Sequence, residues 1–421
     1  RALELAELHG IDLDGIEKQG FVTTEDVERL IAVREGSAPA GDPALAGVST
    51  GGVTLPRHAD PAETAGALEP EFVATLRSDP DAVRALASDE KCELYRRHGA
   101  HVGDGVVLGE GALLVAPRIV LEDGVNLGAR AFVDCAEVFA VGALTHVGPD
   151  LELRCRRAIL GENVHVGRSI RIGGGGHRDP WAVLAIGDLT FVGDEVFVNP
   201  CRPVLIGREV FLTQRAMLVT HNVGHSLLEG FENRFAPVVL EDRSQVGLAA
   251  VVYAGCRIGA NAIVGSNSYV VSDVPPGKLA IGVPARVAGD VQRQLSHGRR
   301  AELAKGMVED LRELLELRGH GVAALDGASG FALETGGGVW HVLFVERYAG
   351  GDGLPPGPAG TVVLTLERAR GDVPDGWALL DLLGRTVEGA SGEVVDSVRE
   401  FCRKRGIRFG PGPWRYRGGL I

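Results

Sequence analysis

The stretch from Val238 to Val287, VVLEDRSQVGLAAVVYAGCRIGANAIVGSNSYVVSDVPPGKLAIGVPARV, decides the fold. Leu240, Val246, Val252, Ile258, Val264 and Val270 are aliphatic and recur at a strict six-residue interval. A small side chain follows four residues later at Ser244, Ala250, Cys256, Ala262 and Ser268, and Gly247, Gly259 and Gly265 directly follow three of the aliphatic positions. So short a fixed period marks a solenoid in which each repeat covers its neighbour's apolar face. Six residues are too few for a helix pair, and Val, Ile, Gly and Asn favour short strands and tight turns. Three six-residue units, each a strand and a corner, make one triangular coil. The aliphatic residue fills the prism and the small one fits the crowded corner.

The same register extends backwards. It begins at Val102, Leu108 and Leu114, and resumes one residue out of step at Leu121, Leu127 and Val133. Val141 and Val147 follow, then Leu160, Val166 and Ile172, then Ile186, Val192 and Val198, then Ile206, Leu212 and Leu218. Two intervals are too long. Ile172 to Ile186 is 14 residues, so GGGGHRDPWA leaves the prism as a loop. Leu218 to Leu240 is 22 residues, so HNVGHSLLEGFENRFA is a second, larger excursion. Solenoid insertions of this kind cluster on the binding face.

These repeats resemble the hexapeptide-repeat acyltransferases, and VVSDVPPGKLAIGVPARV (Val270 to Val287) resembles the segment that ends the β-helix of the sugar O-acetyltransferases among them. The resemblance implies a left-handed parallel β-helix, an exception to the right-handed crossover rule. The expected fold is therefore mainly β: this β-helix over 101–287, a helical preface over 67–100, a helix over 288–320 and a small C-terminal α/β module over 325–421. Residues 1–35 read as a two-helix unit, with Gly10 closing one helix and Thr23 and Asp26 as a capping box for the next. HGIDLDGI and VTTEDVERLI there resemble the peripheral-subunit-binding domain of 2-oxo acid dehydrogenase acyltransferases, which implies a docking module for a protein partner. Residues 36–66, rich in Ala, Gly and Pro, read as a mobile linker.

Two short helices split at Asp79-Pro80 are expected between Glu69 and His98, packed as a cap on the first coil. From Val291 to Leu317 the pattern is helical, with Leu295, Leu303, Met307, Leu311, Leu314 and Leu315 on one stripe. In the C-terminal module GVWHVLFVERY and TVVLTLERA alternate as strands, and EVVDSVREFCRKRG is an amphipathic helix. The tail REFCRKRGIRFGPGPWRYRGG carries seven Lys or Arg against one Glu and reads as a solvated face or a trimer contact, with a phosphate or partner site as the alternative.

Composition narrows the function classes. The 421 residues, 45% hydrophobic with 60 glycines and 5% aromatics, suit a turn-rich coil better than a helical bundle. A net charge of −13 argues against a nucleic-acid binder. Cys92, Cys135, Cys155, Cys201, Cys256 and Cys402 lie far apart and read as reduced thiols of a cytoplasmic protein. No signal-peptide pattern or long apolar run suggests a membrane. The chain begins at Arg1, which leaves the true start of the gene product open.

Acyl transfer from a thioester needs a base to take the acceptor's proton, and histidine titrates near neutrality. The family resemblance puts that base in a Thr-His pair at the mouth of the long loop, which is His221 in MLVTHNVGHS. Asn199 in FVNPCR matches the family's asparagine facing the groove, implying a contact to the acceptor or to the pantetheine arm. His177, His225, Glu229, Glu232 and Arg234 are candidates for lining the acceptor pocket. The resemblance implies acetyl-CoA or another acyl-CoA between neighbouring subunits of a homotrimer, with Ser266, Lys278 and Arg286 as donor contacts and no metal.

Gln245 stands where these enzymes often have Trp and Ser272 where they often have Lys, which implies a donor pocket shaped for another acyl group or a carrier-protein thioester. GGGGH lacks the G-K-[ST] ending of a nucleotide loop. The expected activity is O-acetylation of a sugar or small natural product. The alternatives are an amine acceptor, a gamma-type carbonic anhydrase using His146, His165, His177, His221 or His225 as zinc ligands, and an inert trimeric scaffold.

Overall fold

A computed structural model describes residues 43–45, 47–56, 65–291, 294–409 and 420. The two-helix unit expected over 1–35, and the basic tail from 410 to 419, lie outside the described residues. The chain divides into two compact units, 1–292 and 293–421, each with a hydrophobic core of its own.

The first unit is a parallel β-solenoid. Every aliphatic residue of the six-residue register is buried in it, and strand register sorts them into three columns. Leu121, Val141, Leu160, Ile186, Ile206, Leu240 and Ile258 stack in one. Leu127, Val147, Val166, Val192, Leu212, Val246 and Val264 form the second. Val133, Leu153, Ile172, Val198, Leu218, Val252 and Val270 form the third. Parallel strands with evenly spaced bonds pair each coil with the next, so six-residue periodicity becomes a prism three columns wide.

The corners carry a backbone cost. The residue before each small one turns left-handed, with φ of 60° at Arg243, 52° at Ala249, 58° at Asn261 and 56° at Asn267. A non-glycine residue there costs about 1–2 kcal/mol. The stacked amides offset it: Asn267 N–H donates to Leu248 O at 2.7 Å, and Ala249 N–H to Gln214 O at 3.0 Å. Ser244, Ala250, Cys256, Ala262 and Ser268 are buried just beyond these corners.

Three helices, not two, precede the first coil: α1 (Pro70–Ser78), α2 (Pro80–Arg84) and α3 (Ser88–Arg97). Pro80 starts α2, and a second break falls at Ala87, which is extended. Its N–H donates to the Glu90 carboxylate at 2.8 Å, and this restarts the helix. The preface closes the prism through α3. The Tyr95 hydroxyl donates to Leu114 O at 2.8 Å and accepts from Leu114 N–H at 3.0 Å, and Lys91 Nζ donates to Gly109 O at 2.8 Å. These bonds satisfy backbone groups that no further coil covers.

The expectation of a mobile linker over 36–66 is corrected for its described part. Leu45, Val48, Val53 and Leu55 pack on Ala185, Leu205 and Val239, which face outward from the solenoid. Thr54 N–H and hydroxyl donate to the Asp242 carboxylate at 2.8 and 2.5 Å, and the Arg257 guanidinium donates to Ser49 O and to Gly51 O. Ala, Gly and Pro dominate the composition there, but four spaced apolar side chains give the segment a surface to bury.

The last parallel strand, Lys278–Gly282, folds back into Ala285–Asp290 as an antiparallel hairpin. The helix expected over 288–320 is therefore late to start: residues to Asp290 are strand, and α4 runs His297–Leu317 with Ser296 Oγ accepting from Arg299 N–H. Its buried face is Ala301, Ala304, Val308, Leu311 and Leu315, while Leu303 is exposed. Of the expected stripe, Leu311 and Leu315 are in this face, whereas Leu295 is exposed like Leu303.

The second unit packs a mixed sheet. Strands 322–324, 330–335 and 338–348 are antiparallel neighbours, 338–348, 360–368 and 377–381 are parallel ones, and 386–389 closes the edge. α5 (Glu393–Arg403) follows. The described part of the basic tail is mixed: Arg399 and Glu400 are buried, Lys404 and Arg405 are exposed, Arg403 pairs with Glu400 at 2.7 Å and Arg405 with Asp310 at 3.0 Å. No helix among the described residues is long and apolar enough to cross a membrane.

Candidate active site

The third column leads to the site. Strands Phe197–Asn199 and Met217–Val219 are parallel neighbours with Asn199 beside Val219. Two residues on, His221 opens a short strand that pairs antiparallel with Arg234–Phe235 and draws the long excursion together at its base. Thr220, fully buried between them, donates its hydroxyl to Asn199 O at 2.7 Å and accepts from Arg202 N–H at 3.1 Å.

His221 Nδ1 lies 3.0 Å from Asn199 Oδ1. The Asn199 amide has only one way to stand: its Nδ2 donates to Gly173 O at 3.2 Å and Gly175 O at 3.4 Å, and its Oδ1 accepts from Cys201 N–H at 3.2 Å. Oδ1 is thus the acceptor facing the imidazole, so the neutral ring carries its proton on Nδ1 and keeps the lone pair on Nε2. Nε2 looks toward Gly175, where a Cβ would sit 3.6 Å away. The glycines have reasons. Gly174 turns at φ 109° with Asn199 Nδ2 2.8 Å from any Cβ, and Gly176 at φ 74° faces Cys201 Cβ at 2.5 Å. Burial, and after it the positive charge of Arg202, holds the His221 pKa below the ordinary histidine value, with Asp179 pulling the other way.

Four further groups complete this wall. The Arg202 guanidinium sits over the Trp181 ring at 4.4 Å and the Phe235 ring at 4.9 Å, and its Nη1 donates to Cys201 O at 2.9 Å and reaches Asp179 Oδ2 at 3.5 Å. Phe235 also stacks with His221, centroids 5.8 Å apart.

No family model matches the chain. Over 139 residues, 32% of the chain, it is 30% identical to the galactoside O-acetyltransferase of Escherichia coli strain K12, and the match spans 59% of that protein, less than two thirds. Over 135 residues it is 29% identical to a putative colanic acid biosynthesis acetyltransferase of the same organism, across 70% of that protein. A hexapeptide-repeat-containing acetyltransferase of Vibrio cholerae, solved with acetyl coenzyme A, is similar at 28% identity, covering 31% of this chain and 69% of that one at a TM-score of 0.27. The repeat domain is thus similar to acetyltransferases over about a third of the chain.

The other candidates fall in separate places. His177 lies in the glycine loop, where its Nδ1 meets Gly174 O at 2.8 Å. His225 lies tilted against Phe231, ring centroids 4.5 Å apart, in the exposed part of the long loop, where Glu229 and Glu232 are also exposed. Arg234 leaves this group and lays its guanidinium over Gly255 in the next corner. Ser266 and Arg286 are exposed at the C-terminal end of the solenoid, Ser266 two coils on from that of His221, about 10 Å at ordinary strand spacing, and Arg286 further on, in the closing hairpin. Lys278 is already engaged, its ammonium 2.5 Å from Asp290. His146 and His165 stack on adjacent coils at 5.4 Å, away from this cluster, and among the described residues no group of three or more His, Cys, Asp or Glu is placed to hold a metal ion.

The sequence reading missed Arg202, Trp181, Asp179 and Phe235. Arg202 was within reach, because it directly follows the Asn-Pro-Cys of the asparagine motif. Trp181 and Phe235 carried no signal, since their role depends on two loops meeting.

Proposed function

We propose that this chain is an acyltransferase, most plainly an acetyl-CoA-dependent O-acetyltransferase of a sugar or sugar-like hydroxyl, with His221 as general base. One observation carries the reading: the amide of Asn199 fixes the tautomer of His221 and leaves Nε2 open beside the glycine loop. The acceptor hydroxyl gives its proton to Nε2 as its oxygen attacks the thioester carbonyl. The C–S bond then breaks, and the imidazolium returns the proton to the departing thiolate. Asn199, buried and with its donors used internally, positions the base and does not touch the acceptor.

The donor is assigned to the coils after Val246, where the Arg286 guanidinium, whose Nη1 donates to Ala285 O, has donors for a phosphate. Lys278 joins only by leaving Asp290. A homotrimer, with the base of one protomer near the donor face of the next, and a docking role for residues 1–35 belong to the same proposal.

The test is thiol release from acetyl-CoA with a panel of glycosides. Acceptor-dependent release that His221→Ala removes is the expected result. Release without acceptor dependence, or none with any hydroxyl or amine acceptor, overturns the reading.

A further inference from the structure

We propose that Arg202 is a specificity residue that reads an anionic group on the acceptor, a carboxylate or phosphate held beside the hydroxyl presented to His221. The inference rests on the acyltransferase reading above and names its substrate class.

Three observations carry it. A guanidinium packed over two aromatic rings is restrained, here by Trp181 at 4.4 Å and Phe235 at 4.9 Å, and it bonds through its edge. That edge is half used. Nη1 is committed to Cys201 O and, at the limit of hydrogen-bonding distance, to Asp179, while Nε and Nη2 have no hydrogen-bond partner among the described residues. The side chain is also 23% exposed, so the remaining donors meet solvent at the rim of the site.

Two neighbouring donors in one plane suit a bidentate oxyanion. The location selects the acceptor over the donor. Arg202 lies on the coil before His221, whereas Ser266 and Arg286 lie beyond it, past the strand Val251–Val252. Phe235 touches both the guanidinium and the imidazole ring, which puts a bound anion one side-chain width from the base.

The experiment compares kcat/KM for three acceptors of one ring geometry: a glucoside, the matching glucuronide and glucose 6-phosphate. Charge-assisted pairing predicts that wild type favours an anionic acceptor by about 10- to 100-fold, mainly through KM. Arg202→Gln should bring that ratio close to one. Arg202→Lys, which keeps the charge and loses the fork, should fall between. Preference for the glucuronide alone assigns a carboxylate, and preference for the phosphate alone assigns a phosphate. Equal use of all three by wild type, or a preference that survives Arg202→Gln, overturns the inference and leaves acyl transfer standing.

If no acceptor is acylated, the acyltransferase reading fails first. Anion binding is then read from tryptophan fluorescence titrated with glucuronate, glucose 6-phosphate and glucose, with Trp181→Phe identifying the signal. An anion-specific change absent in Arg202→Gln supports the oxyanion site, and no difference between anion and glucose overturns it. Should Arg202→Gln not fold, Arg202→Lys carries both comparisons.

Discussion

The coils from Leu240 to Val270 and the two excursions at 173–182 and 219–237 are built on opposite rules. In the coils, each aliphatic side chain is buried against the same position one turn away, and the strand backbone bonds run to neighbouring coils. In the excursions the register is suspended. The backbone there turns on glycines at 173, 174 and 176, and the side chains bond across loops: Asn199 to Gly173 and Gly175, Arg202 to Asp179. Regularity stabilises the domain and says nothing of its chemistry. The breaks in regularity carry the chemistry and depend on the coils to hold them. Substitutions on the two sides should therefore fail differently, one in rate and the other in stability.

The sharpest break comes at His221. A positioned base contributes about 10² to 10⁴ in rate. His221→Ala should lower turnover by that order with the thermal midpoint and donor KM nearly unchanged. Near-wild-type turnover, where chemistry limits the rate, would remove the base from this residue.

Leu212→Ala tests the other side. Leu212 is fully buried in the second column. Truncation should cost about 2–5 kcal/mol, from lost burial and the cavity left behind. Leu228, 97% exposed on the long loop, is the control, and Leu228→Ala should change stability by no more than about 0.5 kcal/mol. Thermal and denaturant melting separate the two. Equal effects would mean that the loop, and not only the coil, is part of the packed body.

Most of the solenoid was legible because its signal is repeated: Leu240, Val246 and Val252 say the same thing, and an error at one is corrected by the next. The site was legible only where one chain segment carries it, as in Thr220-His221 or Asn199. Arg202 between Trp181 and Phe235 was not, because three distant segments make it. The segment around Leu45 to Leu55 was misread for a related reason. Its composition resembles a linker, and the outward face of Ala185, Leu205 and Val239 that it covers is small and aliphatic. Leu303 was misread differently, since periodicity marks a face of α4 without saying which neighbouring face packs.

Asn199→Ala sits between the two regions, because the residue ends a coil strand and orients a loop histidine. It removes the acceptor for Nδ1–H and leaves Gly173 O and Gly175 O without their donor. A misoriented base should lower turnover by about 10- to 100-fold, with less effect on donor KM. Asn199→Asp keeps an acceptor toward Nδ1–H and should retain more activity than Asn199→Ala. If the two variants are equally impaired, the asparagine serves the loop and not the imidazole.

The smallest effect is the most specific to the site. Only the neutral imidazole accepts a proton, so the rate should rise with pH through the titration of His221 and level off above it. Burial and the Arg202 charge disfavour the imidazolium, so the midpoint should lie below the ordinary histidine value. Arg202→Gln removes the second of these causes and should move the midpoint up, though not all the way, since burial remains. Asp179 acts with the opposite sign, and Asp179→Asn should move the midpoint down. Two neighbouring substitutions that shift one limb in opposite directions cannot both act by loosening the loop, because loosening would admit water and raise the midpoint in each. Upward shifts in both would mean that the substitutions act by loosening the loop, and no shift in either would assign the limb to a group other than His221.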